Sequence, residues 1–220
     1  MLKNIILIIS LLFYINCAYS GIDVSVHQGG NVDFSRVKAA GKNFVILRAG
    51  YGKSTRDTYF EQNYNNAKNA GMNVGVYWYS YGYSVEDATK EAYKCLEVIK
   101  GKKFEYPIYY DIEEGNTFNQ GVSVVSGMAD TFCTIMQNNG YFCGIYSSKS
   151  HLETFFNQYT RNKYTIWVAQ YYDRCTYSGA YKIWQSSCKG RVNGISGDVD
   201  LDTSYEDFPS IIKNGHFNGF

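Results

Sequence analysis

The residues best suited to chemistry are two carboxylates, Asp111 and Glu113, separated by one residue. They end and follow an apolar, aromatic segment, Tyr106–Asp111, that is typical of a β-strand. Strand side chains two apart share a face, so both carboxylates should point the same way. Neighbouring carboxylates repel one another, which keeps at least one protonated near neutral pH, as a general acid requires. Glycoside hydrolysis often uses such a pair, although a solvated strand end would show the same short motif.

Two further carboxylates are expected at the same place. Asp23 lies in the first strand-like segment after residue 20, and Asp200 lies in the last, Ile195–Leu201. Closure of a barrel brings its first and last strands together, and α/β barrels carry their active sites at the C-terminal ends of the strands. We therefore predict that Asp23 and Asp200 join Asp111 and Glu113 around one opening. We expect nearby Asp202 to brace the last loop and Asp198 to lie in a turn.

The elements that position these residues follow a pattern of glycines. Each of four glycines follows a helix-like stretch and precedes a strand-like one: Gly41, Gly71, Gly101 and Gly140. Glycine ends helices because it adopts the left-handed conformation readily, and about thirty residues form one strand-plus-helix unit. The strand-like segments are Phe44–Arg48, Val74–Tyr79, Tyr106–Asp111, Phe142–Tyr146, Ile166–Tyr171, Tyr181–Gln185 and Ile195–Leu201. Among the helices, Val85–Lys100 has Ser84 as its expected N-cap, with Asp87 three residues later.

The pattern changes after Tyr146, where the links between strands become short and polar and leave little room for regular helices. The sequence therefore predicts an α/β fold, an irregular (β/α)8-like barrel with a helix-poor C-terminal third.

Residues 1–20 have the features of a secretory signal: Lys3, an apolar run from Ile5 to Tyr14, and small residues at Ala18 and Ser20. The apolar run is short for a membrane anchor, which is the alternative. We expect a signal peptide at 1–20 and one catalytic domain at 21–220, with no membrane span in the mature chain. Such a protein would be secreted or delivered to a lysosomal or phagosomal lumen.

The formal net charge of +1, without a run of Lys or Arg, gives no reason to expect a nucleic-acid partner. The three histidines, His27, His151 and His216, are scattered and no Cys-x-x-Cys occurs, so neither a metal site nor a cofactor is expected. We expect a monomer.

Five of the six cysteines follow the predicted signal peptide, and secretion makes disulfides plausible. Cys175 and Cys188 bracket the segment between two late strands, a distance that a hairpin can bridge. Cys95 and Cys133 lie on successive predicted helices and could pair, which would leave Cys143 as a buried thiol.

The chain resembles glycoside hydrolase family 25, the N-acetylmuramidase lysozymes. The similar segments, in order, are Gly21–Ser25 with Gln28-Gly29, Val37–Gly52, Gly75–Tyr79, Tyr110–Glu113, Ile145-Tyr146, Trp167–Gln170, Ile183–Gln185 and Gly194–Asp202. The resemblance implies an irregular barrel that cuts the β-1,4 bond between N-acetylmuramic acid and N-acetylglucosamine in bacterial peptidoglycan. It also implies Glu113 as proton donor, with Asp23, Asp111 and Asp200 as supporting acids. The five cysteines and Trp78-Tyr79 depart from the bacterial pattern.

Other residues at strand ends are candidates for binding sugar. Aromatic side chains combine a flat apolar face with a polar tip, although each could equally fill the core. The aromatic candidates are Tyr51, Tyr77, Tyr79, Tyr109, Tyr146, Trp167 and Trp184; the amide candidates are Gln28, Gln170 and Gln185. We expect Arg48 to pair with Asp23 or Asp111 and keep it ionised.

The spacing of Asp111 and Glu113 also restricts the mechanism. Their Cα atoms should lie roughly 6–7 Å apart, with both carboxylates on one side of the site. Displacement normally needs two carboxyl groups on opposite sides of the sugar. We therefore assign Glu113 as acid and later base, and Asp111 as the group that holds the substrate's acetamido group while the acetamido oxygen attacks. A chitinase-like hydrolase and a catalytically inactive glycan-binding protein are the alternative functions.

Overall fold

The structure, a computed structural model, describes residues 18–220. The predicted signal peptide therefore lies almost entirely outside the described residues. The first strand begins at Tyr19, so it includes the last two residues before the predicted cleavage point. No helix within residues 18–220 is long and apolar enough to cross a bilayer.

The described residues form nine strands, eight α-helices and one short 3-10 helix, Val26–Gln28. The strands are β1 (Tyr19–Val24), β2 (Phe44–Tyr51), β3 (Thr55–Arg56), β4 (Asn73–Tyr79), β5 (Ile108–Asp111), β6 (Cys143–Ser148), β7 (Thr165–Ala169), β8 (Ile183–Gly190) and β9 (Val199–Ser204). The helices are α1 (Phe34–Ala39), α2 (Phe60–Asn69), α3 (Val85–Ile99), α4 (Gly115–Phe118), α5 (Gly121–Asn138), α6 (Lys149–Phe155), α7 (Gln158–Lys163) and α8 (Phe208–Asn214).

Eight of the strands close into a barrel, in the order β1-β9-β8-β7-β6-β5-β4-β2, and parallel pairing of β1 with β2 completes the ring. The short strand β3 pairs with the outer end of β2 as a hairpin. Neighbouring strands from β2 to β8 run parallel, whereas β9 is antiparallel to both of its neighbours. The predicted irregular α/β barrel is confirmed, and the direction of β9 is one of its irregularities.

The C-terminal third contains little helix, as predicted. After β6 the helices α6, α7 and α8 have seven, six and seven residues. The connections from β7 to β8 and from β8 to β9 contain no helix among the described residues. Long helices are confined to the first two thirds, where α3 and α5 pack side by side over the barrel.

Local signals in the sequence match the ends of the helices. The four glycines predicted to end helices all have left-handed backbone conformations, with φ between 70° and 87°. Ser84 is the N-cap of α3, and its hydroxyl accepts a hydrogen bond from the backbone amide of Asp87 at 3.1 Å. These contacts satisfy backbone groups that would otherwise be unpaired at helix ends.

Aromatic side chains fill the inside of the barrel. Phe44 and Tyr106 stack with ring centroids 4.3 Å apart, and Tyr109 packs edge-on against Trp167. At the N-terminal end of the strands, Phe208 of α8 contacts Tyr106 and covers this bottom layer. The barrel is therefore a packed core that leaves room for a ligand at its other end.

The predicted disulfides are not present: the five cysteines within residues 18–220 are all free thiols. Cys133 on α5 faces β6, where its sulfur lies 3.0 Å from the sulfur of Cys143. It is therefore not bonded to Cys95, contrary to the prediction. Cys143 is a buried thiol, as expected, while Cys175 is partly buried and Cys188 is exposed without being joined to it. Cys175 lies in the irregular connection between β7 and β8, and Cys188 lies within β8. Because β7 and β8 run parallel, the expected hairpin between the two cysteines does not form.

Candidate active site

A cavity of about 190 Å³ opens at the C-terminal ends of the parallel strands. Asp111 is the last residue of β5 and Glu113 follows two residues later, while Asp23 on β1 is the direct register partner of Asp200 on β9. Because β9 is antiparallel, its beginning lies at this end of the barrel, and Asp200 is its second residue. The structure therefore brings all four predicted carboxylates around one cavity.

Asp111 forms a buried wall of the cavity, with 3% of its surface exposed. Its Oδ1 atom has no hydrogen-bond partner within the protein. Burial, followed by the charge of Glu113, raises the pKa of Asp111 well above its ordinary value, and the nearby Arg48 opposes the rise. An unpartnered buried oxygen is costly, so this atom is available to accept a hydrogen bond from a bound ligand.

Glu113 is exposed at the mouth of the cavity. Loss of hydration raises its pKa, with further contributions from the charges of Glu114 and Asp200, while the hydroxyl of Tyr79 lowers it. The carboxyl of Glu113 therefore keeps its proton to a higher pH than a free glutamate, which is the property of a general acid.

Asp23 is held by a network that Gln185 organises. The amide Nε2 of Gln185 donates to Asp23 at 2.7 Å, and its Oε1 accepts hydrogen bonds from the hydroxyls of Tyr146 and Tyr171 at 2.9 and 3.0 Å. Gln185 is only 3% exposed. Its predicted role was to bind sugar; in this arrangement the amide instead fixes Asp23, whose pKa is raised well above normal by burial and by Asp202.

Asp202 lies beneath Asp23, in the barrel and not in the last loop. The indole nitrogen of Trp167 donates to its Oδ1 at 2.9 Å, and the side chain is 2% exposed. Burial and the charge of Asp200 raise the pKa of Asp202 to about 8, and burial raises that of Asp200 to about 6. Asp202 thus adds a buried carboxyl group beneath the carboxylates that line the cavity.

A second, larger cleft of about 540 Å³ adjoins the first and shares Glu113, Tyr146 and Tyr171 with it. The other residues that line this cleft are Ser148, Lys149, Ser150, Glu153, Ala169, Gln170 and Tyr172. Glu113 therefore stands where the deep cavity opens into a long surface cleft. This shape suits a polymer whose reacting bond lies at the acid and whose chain continues along the surface.

The sequence profile described as glycosyl hydrolases family 25 matches residues 22–195, which is most of the chain. The chain belongs to glycosyl hydrolase family 25.

Two curated lysozymes have similar sequences. The autolytic lysozyme of Clostridium acetobutylicum is 31% identical over 183 residues, which cover 83% of this chain and 54% of that protein. Lysozyme M1 of Streptomyces globisporus is 27% identical, with 82% of this chain and 65% of that protein covered.

Solved structures of bacterial proteins share the fold. The modular autolysin LytC of Streptococcus pneumoniae matches with a TM-score of 0.78 and 28% identity, over 84% of this chain and 46% of that one. The same autolysin, in complex with a synthetic peptidoglycan ligand, matches with a TM-score of 0.77. A lysozyme of Streptomyces coelicolor matches with a TM-score of 0.73 and 28% identity, over 84% and 91% of the two chains. The present chain spans about half the length of the Clostridium and Streptococcus proteins.

Within this family 25 site, Arg48 does not have the partner that we predicted. Its Nε atom lies 2.8 Å from Asp57 Oδ2 in a buried ion pair, and Asp57 also accepts a hydrogen bond from the backbone amide of Val26. Asp57 lies in the loop after the β3 hairpin, nine residues from Arg48. Arg48 therefore anchors a loop, although its charge still lowers the pKa of Asp111.

Of the two tryptophans predicted to bind sugar, Trp167 lines the deep cavity and Trp184 faces away from it. Trp167 is 1% exposed and packs among the rings inside the barrel. Trp184 is adjacent to Gln185 and therefore faces the opposite side of β8, where its indole donates to the backbone carbonyl of Gln170. Tyr109 is fully buried in the barrel. The predictions for Trp184 and Tyr109 were wrong: adjacent strand residues face opposite sides, which places Trp184 outside the barrel, and Tyr109 is buried in the core.

The remaining candidates lie at or near the opening. Tyr77, Tyr79 and Tyr146 line the deep cavity with Gln28, whose amide oxygen caps the backbone amide of Ser25. Gln170 lines the larger cleft, but its side chain bonds Thr176. Tyr51 lies beside the cavity, edge-on to the exposed ring of Tyr81.

Sequence reasoning missed four residues at the site, Ser25, His27, Glu114 and Tyr171, and it also missed the buried role of Asp202. Asp202 could have been found, because it is two residues from Asp200 on one strand and so shares its face. Glu114 directly follows the Asp-x-Glu motif. Tyr171 lies two residues beyond the end of β7, where no periodicity indicates which way a side chain points.

The raised pKa values of Asp200 and Asp202 predict how the stability of the fold depends on pH. A carboxyl whose pKa is higher in the folded than in the unfolded chain stabilises the fold at low pH, and this contribution is lost as the pH rises through the folded pKa. For Asp200 and Asp202 that window runs from the ordinary value of 3.8 up to about 6 and about 8. The folded protein should therefore lose stability across this range because of these groups.

Asp202→Asn should reduce that loss, because the amide stays neutral and its oxygen can still accept from Trp167. We expect the melting temperature of the variant, followed by circular dichroism, to fall less between pH 4 and pH 8 than that of the wild type. An equal or larger fall in the variant would show that Asp202 does not carry this dependence.

Proposed function

We propose that this family 25 domain is a muramidase, which hydrolyses the β-1,4 bond between N-acetylmuramic acid and N-acetylglucosamine in bacterial peptidoglycan. The observation that carries the proposal is the pairing of an exposed acid, Glu113, with a buried neighbour, Asp111, whose Oδ1 has no partner. The lysozyme names of its relatives, and the autolysin solved with a peptidoglycan ligand, support this substrate class.

In the first step, Glu113 gives its proton to the bridging oxygen as the bond from that oxygen to the sugar's C1 breaks. The acetamido oxygen of the same sugar forms a new bond to C1. Asp111 accepts the acetamido N–H at Oδ1 and stabilises the positive charge that develops on the resulting ring. In the second step, ionised Glu113 takes a proton from water, whose oxygen attacks C1 and reopens the ring.

The neighbouring carboxyls act on this chemistry through position and charge. Asp200 raises the pKa of Glu113, which favours the protonated acid. Asp23 is fixed by Gln185 on the other side of the cavity and adds to the acidic wall. Positive charge that develops at C1 would lie among these groups, which stabilise the charged transition state more than the neutral ground state.

Aromatic side chains on both sides of Glu113 suit a long glycan. On one side Tyr79 packs against Tyr81, with ring centroids 5.0 Å apart. On the other, Tyr171 and Tyr172 line the larger cleft and are 50% and 71% exposed. Rings of this kind present apolar faces to sugar rings and hydroxyls to their polar edges.

The test is to incubate the protein with peptidoglycan and with chitin and to identify the new reducing ends. We expect N-acetylmuramic acid ends from peptidoglycan, first formed as the retained β anomer, because two displacements at C1 restore its configuration. An inverted first product would exclude attack by the acetamido oxygen. Cleavage of chitin in preference to peptidoglycan would instead support a chitinase-like hydrolase, and binding without cleavage a glycan-binding protein.

We also propose that the protein is exported and acts on bacteria in defence or digestion, outside the cell or in a lysosomal or phagosomal lumen. The support is the signal-like composition of residues 1–20. Expression of the full chain in a eukaryotic cell, with N-terminal sequencing of the product, tests this: a product that retains Met1 would contradict it.

A further inference from the structure

Glu114 directly follows the proposed acid but has no part in the mechanism above. Its backbone occupies the N-cap position of α4, yet its side chain makes no capping hydrogen bond. Instead, Oε1 accepts a hydrogen bond of 2.6 Å from the hydroxyl of Tyr79. Tyr79 ends β4, the strand that pairs with β5, and lines the deep cavity. The side chain of Glu114 is thus turned towards the site and not towards its own helix.

The Tyr79 hydroxyl acts on two carboxyl groups: it donates to Glu114, and it lowers the pKa of Glu113, with which Tyr79 lines the deep cavity. A phenol has one proton to donate. While that proton points to Glu114, the oxygen of Tyr79 can only accept from Glu113, so a contacting Glu113 must carry its own proton. An ionised Glu113 would compete for the same proton and would lie beside a like charge.

We propose that Glu114 is a positioning residue for Glu113: it accepts the hydrogen bond of the Tyr79 hydroxyl, so that Glu113 retains its own proton until the glycosidic oxygen receives it. The proposal rests on the proposed function, in which Glu113 is the acid. Once Glu113 is ionised, the Tyr79 hydroxyl can turn to it and stabilise its charge. Water can then solvate Glu114, whose side chain is only partly buried.

Other groups also face Glu113. Asp111 and Glu114 come from its own segment, Tyr79 from β4, Tyr146 from β6, Tyr171 from beyond β7 and Asp200 from β9. In the adjoining cleft, Lys149 and Glu153 are paired with each other at 2.9 Å. Among these, Glu114 combines a charge next to Glu113 with a hydrogen bond accepted from the Tyr79 hydroxyl, which itself lowers the pKa of Glu113.

The experiment is a carbon-13 NMR titration of the glutamate carboxyls in the wild type and in Glu114→Ala, with Glu113→Gln used to assign the Glu113 signal. We expect Glu113 to titrate at lower pH in Glu114→Ala, because a neighbouring carboxyl group is removed and the Tyr79 hydroxyl, having lost its acceptor, can donate to Glu113. In the Tyr79→Phe background the same substitution should cause a smaller shift, because no hydroxyl remains to be redirected. The alkaline limb of kcat/KM should move to lower pH in parallel, with a several-fold loss at high pH and little at low pH.

Glu86→Ala is the matched control, since this carboxylate on α3 is 77% exposed and paired with Lys90, outside the site; it should leave the titration of Glu113 unchanged. An unchanged Glu113 titration in Glu114→Ala would overturn the proposal, as would an equal shift with and without the Tyr79 hydroxyl. The titration requires no turnover, so failure of the wild type to cleave peptidoglycan would defeat the proposed function separately. Circular dichroism establishes that each variant is folded.

Discussion

Glu113→Gln is expected to lower the rate of glycan cleavage about 10²–10⁴-fold, the usual contribution of a positioned general acid and base. Glutamine keeps the shape of the side chain but has no acidic proton for the leaving oxygen and cannot accept one from water. The release of reducing ends from peptidoglycan, followed as initial rates, measures the effect. A variant that cleaves at the wild-type rate would exclude Glu113 as the acid.

This substitution should leave the fold intact, because Glu113 lies beyond the end of β5 and is exposed at the mouth. We expect an unchanged melting temperature and retained binding to insoluble peptidoglycan in a sedimentation assay. Glu97→Gln, which alters a carboxylate on α3 that is 69% exposed, is the matched control and should keep full activity. Loss of binding together with activity would indicate that the substitution damages the site and not one chemical step.

The carboxylates at the mouth could be predicted because they depend on local rules. Alternation along a strand places Asp111 and Glu113 on one face, and barrel closure brings Asp23 to Asp200. In the closed barrel, Asp23 on β1 is the direct register partner of Asp200 on β9. The sequence does not indicate strand direction, however, so the antiparallel course of β9 was not foreseen.

The partners of these groups could not be predicted, because they join residues far apart in the chain. Gln185 bonds Asp23 across 162 positions, and Trp167 bonds Asp202 across 35. Such contacts are set by the strand register and by the angle at which each strand tilts in the barrel. Arg48 was assigned to the nearest acidic cluster, whereas a hairpin loop supplied Asp57 at shorter range.

Alternation would have corrected one of the errors. Trp184 and Gln185 are adjacent on β8 and cannot both face the barrel interior. The structure places Gln185 inside and Trp184 against the outer layer. Trp167 faces inward and lines the deep cavity as expected, and because its ring is only 1% exposed most of it packs in the core.

Asp111→Asn is expected to lower kcat about 10²–10³-fold, which is the usual effect of removing one preorganised electrostatic partner of a transition state. The amide oxygen of asparagine can still accept the acetamido N–H, so KM should change little. What is lost is the negative charge that stabilises the cyclised, positively charged intermediate. A stable bicyclic mimic of that intermediate should consequently bind the wild type more tightly than the variant, measured by calorimetry.

Stability should not fall with activity in this variant, because Asp111 is buried with an unpartnered oxygen and its charge is costly there. A melting temperature equal to or above that of the wild type would separate the catalytic role from a structural one. The alternative role for Asp111 is covalent attack on C1. A slow fluorinated substrate would then leave a glycosyl group attached to Asp111, visible by mass spectrometry of its peptide. Such an adduct would overturn acetamido participation, whereas its absence, with a retained anomer, agrees with Asp111 orienting the acetamido group.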